Sequence, residues 1–97
     1  MADTRPTGPS PEALRAEIMR QVTIRGDDKS ICPSEVARAY GEDWQRLMGQ
    51  VRDAARALSR EGRIDILRKG RPIEPEAVRG VIRLRLRPAA PDPETPD

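Results

Sequence analysis

The stretch from Cys32 to Gly62 constrains the fold of this chain more than any other part of its 97-residue sequence. It opens with a short helical segment in which Pro33 stands at the first helical position and a glycine at position 41 ends the helix. A longer segment with helical spacing of its apolar residues follows and ends at Gly62. Two helices joined by a short polar turn are the outline of a helix-turn-helix.

The longer segment predicts an amphipathic helix with a break near its start. Its apolar face consists of Trp44, Leu47, Met48, Val51, Ala54, Ala55 and Leu58. The opposite stripe consists of Gln45, Gly49, Arg52, Arg56, Ser59 and Arg60. A glycine inside a helix costs about 1 kcal/mol relative to alanine. We therefore expect a kink or a break at Gly49, with residues 44–48 forming a separate turn.

A further helix is predicted before this unit. Ser10, Pro11 and Glu12 supply a capping hydroxyl, a proline at the first helical position and an early negative charge. The apolar stripe repeats every four residues and consists of Leu14, Ile18 and Val22, with Met19 beside it. We expect this helix to end at Arg25-Gly26, where the glycine supplies a left-handed cap.

Tyr40 and Trp44 are the two aromatic residues of the chain. Both fall on inward-facing helical positions, Tyr40 together with Val36 and Ala37, so we expect both in the core. Single-stranded nucleic acid is usually bound by several exposed aromatic rings. The sequence therefore argues against a stacking surface for RNA.

Cys32 is the only cysteine, and the chain has no histidine. An intramolecular disulfide is therefore impossible, and a zinc site would need more thiol or imidazole ligands than one cysteine supplies. We expect Cys32 to be a small buried residue, as free cysteines commonly are. The alternative is a thiolate stabilised at the helix start, with a redox role. No metal and no cofactor is predicted.

Two later segments alternate apolar and polar residues, which is the period of a β-strand. The first runs over residues 63–67, and the second is IRLRLR at 82–87. We expect one face of the resulting sheet to pack on the helices. The other face is expected to expose a row of three arginines, Arg83, Arg85 and Arg87.

The connection between these strands, residues 70–80, is here named the wing loop. It is too long for a tight hairpin, and residues 75–78 are expected to form one helical turn within it. Residues 30–31 are expected to add a short strand before the second helix. The sequence thus predicts an α+β fold, a winged helix of three helices and a two- or three-stranded antiparallel wing sheet.

The charge and the composition vary along the chain. Residues 1–9 and 88–97 show no apolar period and contain many prolines, so we predict disordered tails around a domain at 10–87. Residues 88–97 carry three acidic and no basic residues, whereas 44–87 carry twelve basic against five acidic residues, a net charge of +7. A basic half suits a phosphate-bearing partner. With no signal-like or membrane-spanning segment, a cytoplasmic protein is expected.

Several motifs together are similar to one known family. They include ICPSEVARA at 31–39, DW-R-LM at 43–48 and RG-IRLRL at 79–86. The chain resembles an uncharacterised bacterial family, domain of unknown function 3253, over residues 30–87 and the preceding helix. The resemblance implies a winged-helix-like fold and brings no biochemical function with it. It also implies a proline at position 49 in many relatives, which favours a helix break there.

The third helix carries the first set of candidate DNA contacts. An α-helix can enter the major groove, where Arg pairs with guanine and Gln with adenine. The candidate residues on this helix are Gln45, Arg46, Gln50, Arg52 and Arg56. The alternative is an ordinary solvated face, held by helical ion pairs such as Asp53 with Arg56 or Glu42 with Arg46.

The start of the wing carries the second set of candidate contacts. Three basic side chains that can bind phosphate follow one another there: Arg68, Lys69 and Arg71. Glu74 and Glu76 in the same loop would repel a DNA backbone. The alternative is therefore a structural loop, folded over the sheet and held by pairs such as Glu76 with Arg79.

These features favour a non-enzymatic, monomeric protein that binds double-stranded DNA, with transcriptional regulation as its candidate role. The alternative is a winged-helix adaptor for a protein partner, since one fold serves both functions. DNA binding requires one continuous basic surface, whereas an adaptor requires an exposed apolar patch. Ion pairs of the arginines with Asp53, Glu74 or Glu76 would weaken the DNA hypothesis. No nucleophile–base pair is evident, so no catalytic residue is predicted.

Overall fold

The computed structural model describes residues 9–26 and 28–87. These residues form three helices and a three-stranded antiparallel sheet, an α+β fold compatible with a winged helix, as predicted. The helices are α1 (Pro11–Arg25), α2 (Pro33–Arg38) and α3 (Met48–Arg60). The strands are β1 (Ile64–Arg68), β2 (Arg71–Ile73) and β3 (Arg83–Leu86). The predicted tails lie outside the described residues, apart from Pro9.

Helix α1 forms as its sequence predicts. The Ser10 hydroxyl oxygen accepts a hydrogen bond from the backbone N–H of Ala13 at 3.1 Å. At the other end, Gly26 has a φ of 104°, and its N–H donates to the carbonyl of Val22 at 3.1 Å. The stripe that packs into the core is fully buried and consists of Leu14, Ile18 and Val22. Local sequence signals therefore define this helix completely.

Helix α2 ends earlier than predicted, and Tyr40 does not lie in the core. The backbone N–H groups of Ala39 and Tyr40 donate to carbonyls three residues back, at 3.2 and 3.0 Å. Such a tight last turn takes Tyr40 out of the α-helical phase. Its side chain is 38% exposed, and its hydroxyl donates to the carbonyl of Ala13 at 3.3 Å. Trp44 is half-buried against the core, with the Arg38 guanidinium 4.7 Å from the ring centre.

The third helical segment breaks close to the predicted position. Residues Trp44–Leu47 form a separate 3₁₀ turn, and α3 begins at Met48, one residue before Gly49. The residues of α3 that face the core are Val51, Ala54, Ala55 and Leu58. Ser59, predicted on the solvent side, is only 8% exposed. It lies about 80° around the helix from Val51, so it falls at the edge of the buried face.

The sheet has the strand order β2-β1-β3, and Ile31 adds the predicted short strand as a single bridge to Leu84. Both backbone hydrogen bonds of that bridge measure 2.8 Å. The wing loop differs from the prediction, because the chain turns back directly after β1 to form β2. Lys69 and Gly70 make this turn with φ values of 54° and 81°. Positive φ at both central residues is the pattern of a type I′ hairpin.

The inner face of the sheet packs on the helices. Ile64, Ile66 and Leu84 are fully buried there, and Ile73 of β2 is partly buried beside them. Beyond β2 the wing loop makes the predicted helical turn, at Pro75–Ala77, and crosses back along α3. This path brings the second half of the wing loop beside the helix that was predicted to contact DNA.

Cys32 lies directly before α2 and is half-buried rather than buried. Its backbone N–H donates to the Glu35 carboxylate at 2.9 Å, which closes the start of the helix. Its sulfur accepts a hydrogen bond from the Ser34 hydroxyl at 3.1 Å. These contacts give Cys32 a structural role in starting α2.

Candidate nucleic-acid interface

The predicted row of three exposed arginines on β3 is not a row of free cations. Arg85 donates to one oxygen of Asp65 at 2.9 Å, and Arg87 donates to the other at 2.9 Å. Asp65 stands directly opposite Arg85 in the β1–β3 ladder, on the outer face of the sheet. Arg87 is exposed as predicted and Arg85 is half-buried, but the prediction missed that both are paired with a carboxylate, which the strand register brings within reach.

Asp65 is only 9% exposed, and its environment shifts its pKa. Burial is the largest single influence and raises the pKa, since it disfavours the charged form. The hydrogen bonds from Arg85 and Arg87 together outweigh burial, and the net pKa of Asp65 lies below its ordinary value. The three side chains therefore form a structural ion cluster at the end of β3.

The predicted contacts on the third helical segment do not share one face. Gln50 borders a groove towards α1, whereas the Arg52 guanidinium donates to the carbonyl of Gly80 in the wing loop at 2.9 Å. The two residues lie about 160° apart around the helix. Gln45 is exposed on the preceding 3₁₀ turn, whose tighter winding changes the phase again. Only part of the predicted helical set can meet one partner surface.

Two predicted arginines of this set hold neighbouring carboxylates. Arg46 lies 3.5 Å from Asp43, and Arg56 lies 2.6 Å from Asp53. The Asp53 pair is the one that the solvated-face alternative anticipated. Such exposed helical pairs stabilise little, but they neutralise the charge that a phosphate would need.

The acidic residues of the wing loop lie away from its basic start. Glu76 pairs with Arg60 near the end of α3 at 3.4 Å, so the anticipated pair with Arg79 does not form. Glu74 borders the same surface groove as Arg60 and Glu76. The repulsion expected from these two carboxylates therefore acts beside the end of α3.

One set of basic side chains has no carboxylate oxygen within 4.0 Å among residues 9–26 and 28–87 and gathers around the wing. We name it the wing-end cluster: Arg52, Arg68, Lys69, Arg71, Arg79 and Arg83. It contains four of the eight predicted contacts. The alternating pattern of 82–87 does not distinguish Arg83 from Arg85 and Arg87, and Arg79 was predicted to pair with Glu76.

Gly80 joins the helical and wing parts of the wing-end cluster. Its carbonyl accepts the hydrogen bond from Arg52, and a Cβ at this position would lie 4.0 Å from the Arg68 guanidinium. Its φ of +72° suits glycine. Arg52 of α3 thus lies beside the basic residues of the wing, and together these side chains form one basic surface.

A groove in this surface lies between the Lys69-Gly70 turn and the start of β3. It is lined by Ser30, Leu67, Arg68, Lys69, Gly70, Val81 and Arg83. Arg83 is fixed at its edge, donating to the Ser30 hydroxyl at 2.7 Å and to the Ser30 carbonyl at 2.9 Å. Val81 is 83% exposed there. The groove therefore combines three cations with one uncovered apolar side chain.

The fold and this surface define a small α+β domain, compatible with a winged helix, that is basic at its wing end. The chain belongs to the family described as protein of unknown function (DUF3253), whose model matches residues 11–87. This match confirms the family that the sequence motifs indicated. No curated protein matches the chain. None of the helices that the structure describes is long and apolar enough to cross a membrane.

Proposed function

We propose that the protein binds double-stranded DNA through the wing-end cluster and the adjacent side of α3. The observation that carries the proposal is the continuous surface of six basic side chains with no carboxylate among the described residues to neutralise them. Contacts of Lys and Arg with phosphates release condensed counterions, which supplies most of the affinity of weakly specific DNA binding. The protein would act as a monomer and without catalysis.

Transcriptional regulation remains the candidate role within this proposal. Sequence readout would fall to the exposed start of the third helical segment, where Gln45 and Arg46 precede α3. Arg can pair with guanine and Gln with adenine in the major groove. Arg46 would first have to leave Asp43, which it approaches to 3.5 Å.

A salt titration of binding to short random-sequence duplex DNA tests the proposal. Fluorescence anisotropy of the labelled duplex should show binding that weakens linearly on a log–log plot, with a slope of about −0.9 for each phosphate contact. The variant Lys69→Ala/Arg71→Ala should lose about two contacts from that slope. Arg20→Ala/Arg63→Ala is the matched control, because it removes two charges that already lie near carboxylates. No binding at low salt would reject the proposal.

A protein partner is the second candidate, and a different surface favours it. Pro9, Ala13, Tyr40 and Leu47 line a partly apolar groove between α1 and the 3₁₀ turn before α3, with Asp43, Arg46 and Gln50 at its borders. The exposed ring of Tyr40 marks this groove as a site where an apolar side chain of a partner can dock. The wing-end cluster would then have no part in binding.

Photocrosslinking distinguishes the two functions. A photoreactive amino acid at position 40, with position 61 as the control, should yield a specific adduct only if this groove is an interface. The identified partner should then lose affinity for Ala13→Arg and keep it for Lys69→Ala. Adducts at both positions, or a partner whose affinity is unchanged by Ala13→Arg, would exclude this groove as a protein interface.

A further inference from the structure

We propose that the groove between the Lys69-Gly70 turn and the start of β3 holds a phosphate of the DNA backbone. It would supply most of the affinity, so the protein binds DNA with little sequence preference. This inference rests on the proposed DNA binding and specifies where it occurs. It reverses the usual expectation that the exposed face of the third helical segment is the main contact.

The Arg83 guanidinium is already held in position by contacts within the protein. Its Nε–H and one Nη2–H donate to Ser30, which holds the guanidinium in one position. A guanidinium carries five N–H donors, so three remain for a ligand. A side chain already fixed in this way loses little conformational entropy on binding.

Lys69 is held on the opposite side of the groove. It occupies the first central position of the type I′ turn with a φ of 54°, and this short hairpin fixes its backbone. Its exposed ammonium is a mobile point charge, which suits contact with a phosphate oxygen rather than with a base edge. Lys69 and Arg83 thus approach one ligand from two sides.

The cations around this groove repel one another while no anion is present. Arg68 joins Lys69 and Arg83 along the lining, and no carboxylate of the described residues lies within 4.0 Å of any of them. Surface clefts lined by charge of one sign concentrate ions of the opposite sign. A phosphate is the anion whose several oxygens match guanidinium and ammonium donors together.

Val81 distinguishes a DNA backbone from free phosphate as the occupant. Its side chain is 83% exposed at the border of the groove. A free phosphate ion offers nothing to an aliphatic group, whereas the deoxyribose next to a backbone phosphate can cover it. Burying an apolar side chain contributes on binding as it does on folding. The neighbouring charges and the exposed valine therefore suit one ligand, a sugar–phosphate chain.

The exposed arginines of the third helical segment are less available. Arg46, Arg56 and Arg60 each lie within 3.5 Å of a carboxylate oxygen. A phosphate that approaches them meets the partner carboxylates as well, so the net attraction is small. Guanidinium groups in such pairs must also leave their carboxylates before they can read a base. Sequence-specific contacts from this segment are therefore expected to be weak.

Two charge-matched variants test the inference with short random-sequence duplex DNA as the probe. Lys69→Gln/Arg83→Gln should bind about tenfold more weakly and lose about two contacts from the salt slope. Arg46→Gln/Arg56→Gln removes the same charge from the helical segment and should change affinity less than about twofold. The single variant Lys69→Gln covers the case in which loss of the Arg83–Ser30 contacts disturbs the fold.

Three further outcomes separate the inference from the function on which it rests. Absence of binding by the wild-type protein would reject DNA binding itself. Binding that depends on Arg46 and Arg56 more than on Lys69 and Arg83 would reject the groove and leave DNA binding intact. Binding that one particular duplex sequence strengthens far above random duplexes would also reject the low sequence preference proposed here.

Inorganic phosphate and Val81→Asn separate the two sources of phosphate. If the groove holds a DNA backbone, NMR titration should show much stronger shifts of the groove amides with duplex than with inorganic phosphate. Val81→Asn should weaken duplex binding by about threefold through lost apolar contact. Equal saturation by inorganic phosphate, together with unchanged duplex affinity for Val81→Asn, would identify a free-phosphate site and overturn the proposal.

Discussion

Arginines stand at both ends of strand β3, but among the described residues those at its end are paired with a carboxylate and the one at its start is not. Arg85 and Arg87 converge on the buried carboxylate of Asp65, at hydrogen-bond distances of 2.9 Å. The Arg83 guanidinium, two residues before Arg85, donates to the hydroxyl and carbonyl of Ser30, and no carboxylate oxygen of residues 9–26 and 28–87 lies within 4.0 Å of it. The difference shows that a run of arginines at period two is not one functional unit. Asp65 stands opposite Arg85 and also reaches Arg87, whereas Leu67 stands opposite Arg83. A carboxylate within reach decides whether the charge of an arginine is available to a ligand.

The same contrast extends from β3 to the whole domain. Near the end of α3 the cations are paired, as Arg60 with Glu76 and Arg63 with Glu61. Around Gly80, no described residue supplies a carboxylate to the wing-end cluster. Paired cations support the fold, and unpaired cations raise the positive potential where a polyanion can approach. Under the proposed function, one end of the sheet supports the fold and the other end binds DNA.

Replacing Asp65 should produce the largest effect on stability, and it should leave Arg85 and Arg87 without their carboxylate partner. The variant Asp65→Asn loses two charge-assisted hydrogen bonds at a largely buried site, and we expect it to lower the free energy of unfolding by about 2 kcal/mol. Chemical denaturation of the variant and the wild type measures this difference. A loss of less than a few tenths of a kcal/mol would show that Arg85 and Arg87 do not depend on Asp65.

The same variant also releases two cations for DNA. If availability of charge is what distinguishes the two ends, Asp65→Asn should bind random duplex DNA more tightly and with a steeper salt slope than the wild type. Unchanged affinity in a folded variant would mean that the location of an arginine on the surface, and not its pairing with a carboxylate, determines whether it contacts DNA. That outcome would remove the electrostatic basis of the comparison.

The pH dependence of stability offers a second way to examine the paired end. The folded-state pKa of Asp65 is lowered, so this group contributes stability that is fully present above its unfolded pKa of about 3.9. That contribution is lost as the pH falls through the lowered folded value. The stability difference between wild type and Asp65→Asn should therefore be constant near neutrality and shrink at acid pH. A difference independent of pH down to the acid transition would contradict the lowered pKa.

The fold was largely predictable, because most of its signals are local. Helix α1 has its cap, its apolar stripe and its terminal glycine within a single segment. The cap and the stripe act as expected, and Gly26 ends the helix with a positive φ but with a ψ of 158°, outside the left-handed helical region. The position of Tyr40 was not predictable, since it depends on two tight hydrogen bonds at the end of α2. Strand β2 was missed for a similar reason. Its hairpin uses lysine at a positive φ, a conformation in which Asn or Gly is the usual residue.

The site was less predictable than the fold, because contacts between residues far apart in sequence decide which cations are paired and which are not. Only the strand register shows that Asp65 faces Arg85. Only the path of the wing loop shows that Arg52 reaches Gly80 and that Glu76 reaches Arg60. Sequence spacing places residues on a helix or a strand, but it does not supply the partners that neutralise them.

Two glycine substitutions test the backbone beside the wing-end cluster and at the start of α3. Gly80→Ala forces a side chain into a φ of +72° and should destabilise the fold by about 1 kcal/mol. Gly49→Ala is the matched control in α3. A Cβ there meets no atom within 4 Å, and the change should stabilise the fold by about 0.5–1 kcal/mol. Thermal unfolding measures both, and a destabilising Gly49→Ala would show that the helix break needs the glycine.

The acidic segment at 88–97 provides the smallest expected effect. It carries three negative charges, lies outside the described residues and follows Arg87, at the paired end of β3. Arg87 follows Arg83 by four residue steps of extended chain, about 13 Å, which exceeds the screening length of about 8 Å at physiological salt. If the segment competes with DNA for the basic surface, its deletion should tighten duplex binding by about twofold, and more at low salt. Unchanged affinity at low salt would reject the competition and show that the acidic segment does not shield the wing-end cluster from DNA.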